Sequence, residues 1–195
     1  MAIQAIKGVK DILPEDMPAW HRLEAAARKI FEDFGFSEIR VPIFEYTELF
    51  ARSIGASTDI VEKEMYTFED RDGKKITLRP EGTAGVVRAF IEHKMYAESQ
   101  LTKLYYLGPM FRHERPQKGR FRQFYQIGVE ALGSTHPHVD IEVLAMLHRL
   151  YSVLGVTGLS LQINSLGDSA CRGAYREALK AYLKPKLPTL CADCN

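Results

Sequence analysis

Several things are scarce in this sequence, and each scarcity excludes a class of protein. Three cysteines in 195 residues, Cys171, Cys191 and Cys194, are too few for a disulfide-stapled scaffold. Cys191 and Cys194 have the spacing of half a zinc or redox site, but no second half is present, so free thiols in a reducing compartment are expected. No apolar run is long enough to cross a bilayer, and the first residues lack the apolar core of a signal peptide. The expectation is a cytoplasmic protein with no membrane partner. His136, His138 and His148 have no cysteine or acid support at ligand spacing, so no metal site is expected. Internal repeats and low-complexity tracts are missing. A net charge of only +1 excludes a general nucleic-acid coat.

What is present is ordinary globular material, 46% hydrophobic and 26% charged, of a length that suits one domain or one domain with an appendage. It is organised around residues 104–133. Two strands are predicted there, 104–112 and 121–132, joined by a short basic loop. In the second strand the odd positions Tyr125, Ile127, Val129 and Ala131 are apolar. The even positions Arg122, Phe124, Gln126, Gly128 and Glu130 place a charge, a ring, an amide, bare backbone and a carboxylate in a row. Successive strand residues face opposite ways, so one face is core and the other is a polar platform shared with Tyr106, Gly108, Met110 and Arg112. Glycine weakens a strand unless something must approach its backbone, so Gly108 and Gly128 suggest room for a ligand. An ordinary hairpin with one solvated face would show the same pattern. The loop adds weight to the ligand reading. Residues 112–122 hold five arginines and lysines against one acid, a net +4. Arginine forks suit phosphate oxygens, and beside an aromatic ring they point to a nucleotide or an RNA end.

Taken in order, residues 1–15 are irregular. The segment at Lys7-Gly8 could fold over a neighbour that the sequence does not specify. Asp16 and Pro18 open a helix over 17–34, with Trp20, Leu23, Ala27, Ile30, Phe31 and Phe34 at helical spacing and Gly35 as its stop. A strand at 36–41 follows, then Pro42 and a second strand at 43–46. Proline cannot donate to a ladder, so this region is kinked or at an edge. An edge beside a long apolar helix suits either a dimer surface or packing within one subunit. A helix over 47–54 and a polar, mobile-looking segment over 57–64 come next. A hairpin over 65–68 and 75–78 turns at Asp70-Arg71-Asp72-Gly73.

In Thr77-Leu78-Arg79-Pro80-Glu81-Gly82-Thr83-Ala84 a strand ends and a helix over 83–93 begins, with Val86, Val87, Phe90 and Ile91 as its stripe. Glu81 could simply favour the positive end of that helix. It could equally display a carboxylate to an ammonium group, with the Thr83 hydroxyl beside it. Beyond the central hairpin, a helix over 137–154 with Ile141, Leu144, Leu147, Leu150 and Leu154 inward is expected. It is followed by a strand over 159–163, a turn over 165–168, and a helix over 170–183 with Tyr175, Leu179 and Tyr182 inward.

The string Phe111-Arg112-His113-Glu114, then the basic loop, then Arg120-Phe121-Arg122-Gln123-Phe124, resembles the second signature motif of class II aminoacyl-tRNA synthetases. The longer string GPMFRHERPQKGRFRQFYQIGVEALG, with TLRPEGTA, IKGVKDILPED and GFSEIRVPIFE, resembles the histidyl-tRNA synthetases of bacterial type. The resemblance covers nearly the whole chain. It implies an α+β fold, a class II antiparallel sheet flanked by helices. Motif 1 would lie at about 17–46 and motif 2 at about 104–133, so that residues 1–195 make a partial catalytic domain. It also implies a histidine–tRNA ligase activity, with histidine, ATP and the tRNA(His) acceptor stem as partners, magnesium accompanying ATP, and a homodimer.

Site roles follow position by position from the same resemblance. Arg112 would hold the ATP α-phosphate and act as the catalytic cation. Glu114 would meet the adenine amino group, Phe124 would stack on adenine, and Arg120 would reach the phosphates. Glu81 and Thr83 would hold the histidine ammonium group, with Gln126 and Glu130 completing the pocket and Glu130 reading the imidazole. Arg115 and Gln117 would touch the tRNA acceptor end. The third class II motif needs a GxG pattern, and no two glycines here stand two apart. That motif, an RGLDYY-like segment and an anticodon-binding domain are absent, which reads as an N-terminal piece of a longer enzyme. Two alternatives are a synthetase-like regulatory subunit of ATP phosphoribosyltransferase and a non-catalytic dimerising module. The complete set Arg112, Glu114, Arg120 and Phe124 favours the synthetase.

Overall fold

Two ten-residue strands form the centre of the computed structural model, which describes residues 3–54, 64–164 and 167–191. The chain divides into two compact units, Met1–Thr157 and Gly158–Asn195. In the first, the elements are α1 (Met17–Asp33), β1 (Ser37–Glu38), β2 (Phe44–Tyr46), α2 (Thr47–Ile54), β3 (Thr67–Glu69), β4 (Lys75–Leu78), α3 (Thr83–Glu92), β5 (Thr102–Phe111), β6 (Gln123–Leu132) and α4 (Pro137–Val153). Its described strands make two three-stranded sheets, ordered β1-β5-β6 and β2-β4-β3. All pairings are antiparallel except β1 with β5. Mixed helices and antiparallel strands with flanking helices agree with the α+β expectation.

The register of β5 on β6 sets Tyr106 opposite Gly128, Gly108 opposite Gln126, Met110 opposite Phe124 and Leu104 opposite Glu130. Opposed residues share a face, so the even positions of both strands lie together. The odd face is covered by α1 and α4. Ala27, Ile30, Phe31, Phe36, Tyr105, Met146 and Leu150 form its buried cluster. Each large side chain buried there contributes about 1.5–3 kcal/mol. The even face carries a second cluster, Val86, Leu104, Tyr106 and Met110, under α3. The polar platform is therefore half core.

The end of α1 follows its sequence. Gly35 takes φ +78, Phe36 N–H donates to Phe31 O at 2.9 Å, and Gly35 N–H donates to Glu32 O at 2.9 Å. This double bond pattern is the glycine-terminated helix stop. At the start of α1, Asp16 makes no side-chain cap. Its carbonyl accepts from Ala19 and Trp20 instead.

Pro42 separates two sheets rather than kinking one strand. The strand expected at 36–41 is only two residues long, because the Val41 and Pro42 carbonyls accept from Arg79 Nη1 (2.9 and 3.4 Å) and turn the chain out of the first sheet. In α4, Met146 and Leu150 are buried, whereas Ile141 and Leu147 are exposed. The buried stripe runs through Val143 and Leu154. In α3, Ala89 replaces the exposed Ile91 on the packed face. The 57–63 segment, Ser165 and Cys194 lie outside the described residues.

The second unit contains α5 (Ser169–Leu183) and a closing 3-10 turn, Lys184–Thr189. Asp168 caps α5, accepting from Ala170 and Cys171 N–H at 2.9 Å each. These bonds hold its carboxyl below the usual range. The strand expected at 159–163 is not formed, since no described strand offers it a ladder. Tyr175, Leu179 and Tyr182 are exposed rather than inward, as the described part of this unit contains no second layer to receive them. Among the described residues, no helix is long and apolar enough to cross a membrane.

Candidate active site

The basic loop is a hairpin. Arg112 N–H donates to Arg122 O (2.9 Å), and a tight turn at Gln117–Arg120 closes through bonds of 3.3 and 2.9 Å, with Gly119 at φ +81. The neighbour that the sequence left open for Lys7-Gly8 is this loop. Gly8 O accepts Arg122 N–H at 2.7 Å, and Lys7 O accepts Arg122 Nη1 at 3.3 Å. Gly8 sits at φ +89, where a Cβ would meet Pro116 at 2.9 Å and Arg122 at 3.0 Å, so glycine is required on both counts. Arg115 and Gln117 stand exposed at the tip.

At the loop's base, Arg112 Nε donates to Pro80 O (2.9 Å), and its guanidinium lies over the Phe124 ring, 5.1 Å from the centroid. Glu114 stands between two cations, 3.8 Å from Arg112 Nη1 and 3.6 Å from Arg120 Nη1. Its Oε2, the oxygen facing Arg120, is buried and makes no hydrogen bond among the described residues. Arg112, Glu114, Arg120, Phe121 and Phe124, with Glu64, line one cleft of about 420 Å³. All four residues expected to meet ATP are thus together. Cations next to a ring and beside a carboxylate suit a planar base carrying phosphate.

The other expected group lies further along the same face. Glu81 caps α3, its two oxygens accepting Thr83 N–H at 2.6 Å and Ala84 N–H at 3.0 Å. Glu81 therefore fulfils the capping reading, with both oxygens engaged by the helix start. Thr83 Oγ1 donates to Glu130 Oε1 at 2.7 Å. Burial pushes the Glu130 carboxyl up, helped by the charge of Glu81 and opposed by the Thr83 hydroxyl. Gln126 Oε1 is buried and makes no hydrogen bond among the described residues. An orphaned acceptor costs roughly 1–3 kcal/mol, and an ammonium group would satisfy it. Six residues of strand, roughly 20 Å, separate Phe124 from Glu130. An elongated ligand with a base at one end and a cation at the other matches that layout.

The strand glycines do not leave open room for a ligand, contrary to the sequence expectation. A Cβ on Gly128 would meet the Tyr106 ring at 2.3 Å, and one on Gly108 would meet Arg79 Nη2 at 2.5 Å. The protein's own side chains occupy those spaces. Arg79 is buried, and Nε donates to Pro109 O at 2.9 Å in addition to its bonds to the 41–42 carbonyls. It joins the two sheets behind the site, and desolvation lowers its pKa. Sequence reasoning gave Arg79 no role; it set Tyr106 on this face and Gly8 against an unspecified neighbour, but assigned neither a contact. The only signal was the pairing of lone strand glycines with bulky residues elsewhere.

Comparison with known proteins places these residues in context. The profile described as histidyl-tRNA synthetase matches residues 8–178. A Pelobacter propionicus protein named histidine–tRNA ligase is 63% identical over all of this chain, which covers 47% of that protein. A Geobacter sulfurreducens protein of the same name is 58% identical over 99% of the chain and 47% of its own length. The solved apo histidyl-tRNA synthetase of S. aureus superposes with a TM-score of 0.76 at 46% identity, over 99% of this chain and 45% of that one. The chain thus spans about half the length of these relatives. A Bacillus halodurans structure titled as an ATP phosphoribosyltransferase regulatory subunit/histidyl-tRNA synthetase shares the fold at 22% identity and TM-score 0.69, over 80% of this chain and 39% of that one.

Proposed function

This chain belongs to the histidyl-tRNA synthetase family, and we propose that it carries the ATP and histidine half-sites of a histidine–tRNA ligase. The observation that carries the proposal is the single sheet face holding the Arg112–Glu114–Arg120–Phe124 cleft at one end and the Thr83–Glu130 pair at the other. In this reading ATP, brought as its magnesium complex, places adenine on Phe124 with its amino group toward the Glu114 carboxylate. Arg112 holds the α-phosphate and Arg120 the outer phosphates. Histidine places its ammonium group at Glu81, Thr83 and Gln126, and its imidazole at Glu130. The histidine carboxylate is ionised at neutral pH, so it attacks the α-phosphorus without a general base, forming the mixed anhydride as the bond to the α,β-bridging oxygen breaks and pyrophosphate leaves. Arg112 then stabilises the charge that develops. Arg115 and Gln117 at the exposed tip meet the acceptor end of tRNA(His). Residues 1–195 would make up a partial catalytic domain, with motif 1 near 17–46 and motif 2 near 104–133.

We also assign the homodimer contact to the outer face of β2-β4-β3. Its pattern is inverted. Thr77 is fully buried, bonded to Thr47 and Thr67 (2.8 and 2.9 Å), while Phe44, Tyr46 and Phe68 point outward at 55%, 54% and 48% exposure. Cross-strand neighbours Ile76 and Leu78 extend that apolar face. A second copy in isologous contact would cover it.

Histidine-dependent ATP–pyrophosphate exchange tests the enzymatic reading, with Arg112→Ala as control. The expected result is exchange that requires histidine and falls 100- to 1000-fold in the variant. A folded chain with no exchange would restrict it to a ligand-binding role at most, and exchange unaffected by Arg112→Ala would reject the assignment. The regulatory-subunit alternative predicts histidine binding with no exchange.

A further inference from the structure

The row of even positions offers Arg122 as one more cation for phosphate, but its guanidinium is engaged by the protein's own backbone. Nε donates to Glu114 O at 3.4 Å and Nη1 to Lys7 O at 3.3 Å. Its main chain is equally engaged. The Arg122 N–H donates to Gly8 O at 2.7 Å, and the Arg122 carbonyl accepts the Arg112 N–H at 2.9 Å. One residue thus joins the outgoing limb of the basic loop, the returning limb and the N-terminal segment. That segment is shaped for the contact. Val9 N–H donates to Ile6 O at 2.9 Å, closing a tight turn with Gly8 in its third position at φ +89, where a type II turn favours glycine. The turn directs two successive carbonyls, those of Lys7 and Gly8, at Arg122. The absent Gly8 side chain leaves room for Pro116 on one limb and Arg122 on the other. A segment merely lying on the surface would need neither the glycine nor two carbonyls on one residue. What Arg122 holds in turn are Arg112, by its N–H, and Glu114, by its carbonyl. These are two of the residues that line the ATP cleft.

We propose that Arg122 is a positioning residue of the ATP cleft and that the turn Ile6–Val9 is the strap that anchors it: the strap fixes Arg122, and Arg122 fixes the backbone from which Arg112 and Glu114 reach the nucleotide. The proposal deepens the ATP reading above and rests on it for the ligand, whereas the strap itself exists without ligand. Arginine suits the task because its planar fork offers two donors at a fixed angle, one for each carbonyl. A lysine keeps the charge but is a single point donor. A direct grip of Arg122 on phosphate would tolerate lysine, and a strut between two carbonyls does not.

The test uses Gly8→Ala and Arg122→Lys in the whole chain, read in two ways. Amide hydrogen exchange followed by NMR reports the strap. In Gly8→Ala the Arg112 and Arg122 amides are expected to exchange about tenfold faster, with the melting temperature close to wild type. Unchanged exchange at both amides would overturn the strap, whether or not the chain binds ATP. Calorimetric titration with magnesium-ATP and, separately, with histidine reports the positioning. Both variants are expected to bind magnesium-ATP about tenfold more weakly and histidine nearly as wild type, a split that a general loss of stability would not produce. Wild-type affinity for magnesium-ATP in Arg122→Lys, or a loss shared equally by the two ligands, would overturn the positioning role. If the wild-type chain binds no magnesium-ATP, the ATP reading fails and the amide exchange alone decides the strap.

Discussion

Glu130 carries its charge in a half-buried position beside a second acid, Glu81. Burial, the first cause, holds its carboxyl above the usual range, so the native state keeps a proton that the unfolded chain has already released. Stability is then greatest below the ordinary carboxylate value and declines as pH rises from there through the raised folded value. Glu130→Gln removes that charge and keeps an acceptor for Thr83. The variant is expected to melt a few degrees higher than wild type at pH 7, a gain of at most about 1 kcal/mol after allowance for the solvent-facing part of the side chain. The gain should vanish near pH 4, and histidine binding should weaken at the same time. Melts at the two pH values check it, and equal melting temperatures at pH 7 would contradict it. Such an opposition of stability and binding is common where a site must hold an ion apart from its counterion.

At the scale of elements, the glycines separate into those that permit a turn and those that make way for a neighbour. Gly128 belongs to the second kind. Gly128→Ala would drive a methyl group into the Tyr106 ring and should destabilise the first unit by about 1–3 kcal/mol, measured by denaturant unfolding. Gly173 provides the contrast. It lies inside α5 with nothing within 4 Å of a Cβ, so Gly173→Ala should stabilise that helix by roughly 0.5–1 kcal/mol. If both substitutions had the same sign, the slot assigned to Tyr106 would be mistaken. Ion pairs matter less for elements than for their orientation. Arg88 of α3 reaches Glu45 of β2 at 2.7 Å in a partly buried contact, linking the helix that starts at the site to the small sheet. The exposed Lys29–Asp33 pair adds little by comparison.

For the whole molecule, the outward rings of the small sheet predict self-association. Sedimentation of the wild-type chain at micromolar concentration is expected to show dimers. Phe44→Glu together with Phe68→Glu should give monomers with unchanged far-ultraviolet circular dichroism. Monomeric wild-type chain, or a double variant still dimeric, would move the contact elsewhere. Much of the architecture could be read along the chain. The alternation over 123–132, the Asp70–Gly73 turn, the Gly35 stop and the helix over 47–54 all work within a few residues of one another, and local periodicity and turn chemistry suffice for them. The expected ATP residues also cluster within one hairpin, so their nearness was legible from spacing. Three features were not. Lys7 and Arg122 meet across 115 positions, Tyr106 enters a slot cleared by Gly82 and Gly128, and the small sheet turns Thr77 inward. Each depends on register and on which distant segment arrives first to fill a space, and no local pattern encodes that. Residue order therefore settled the elements and the chemistry on offer, whereas packing settled which glycines are filled, which carboxylate is desolvated and which apolar face is left exposed.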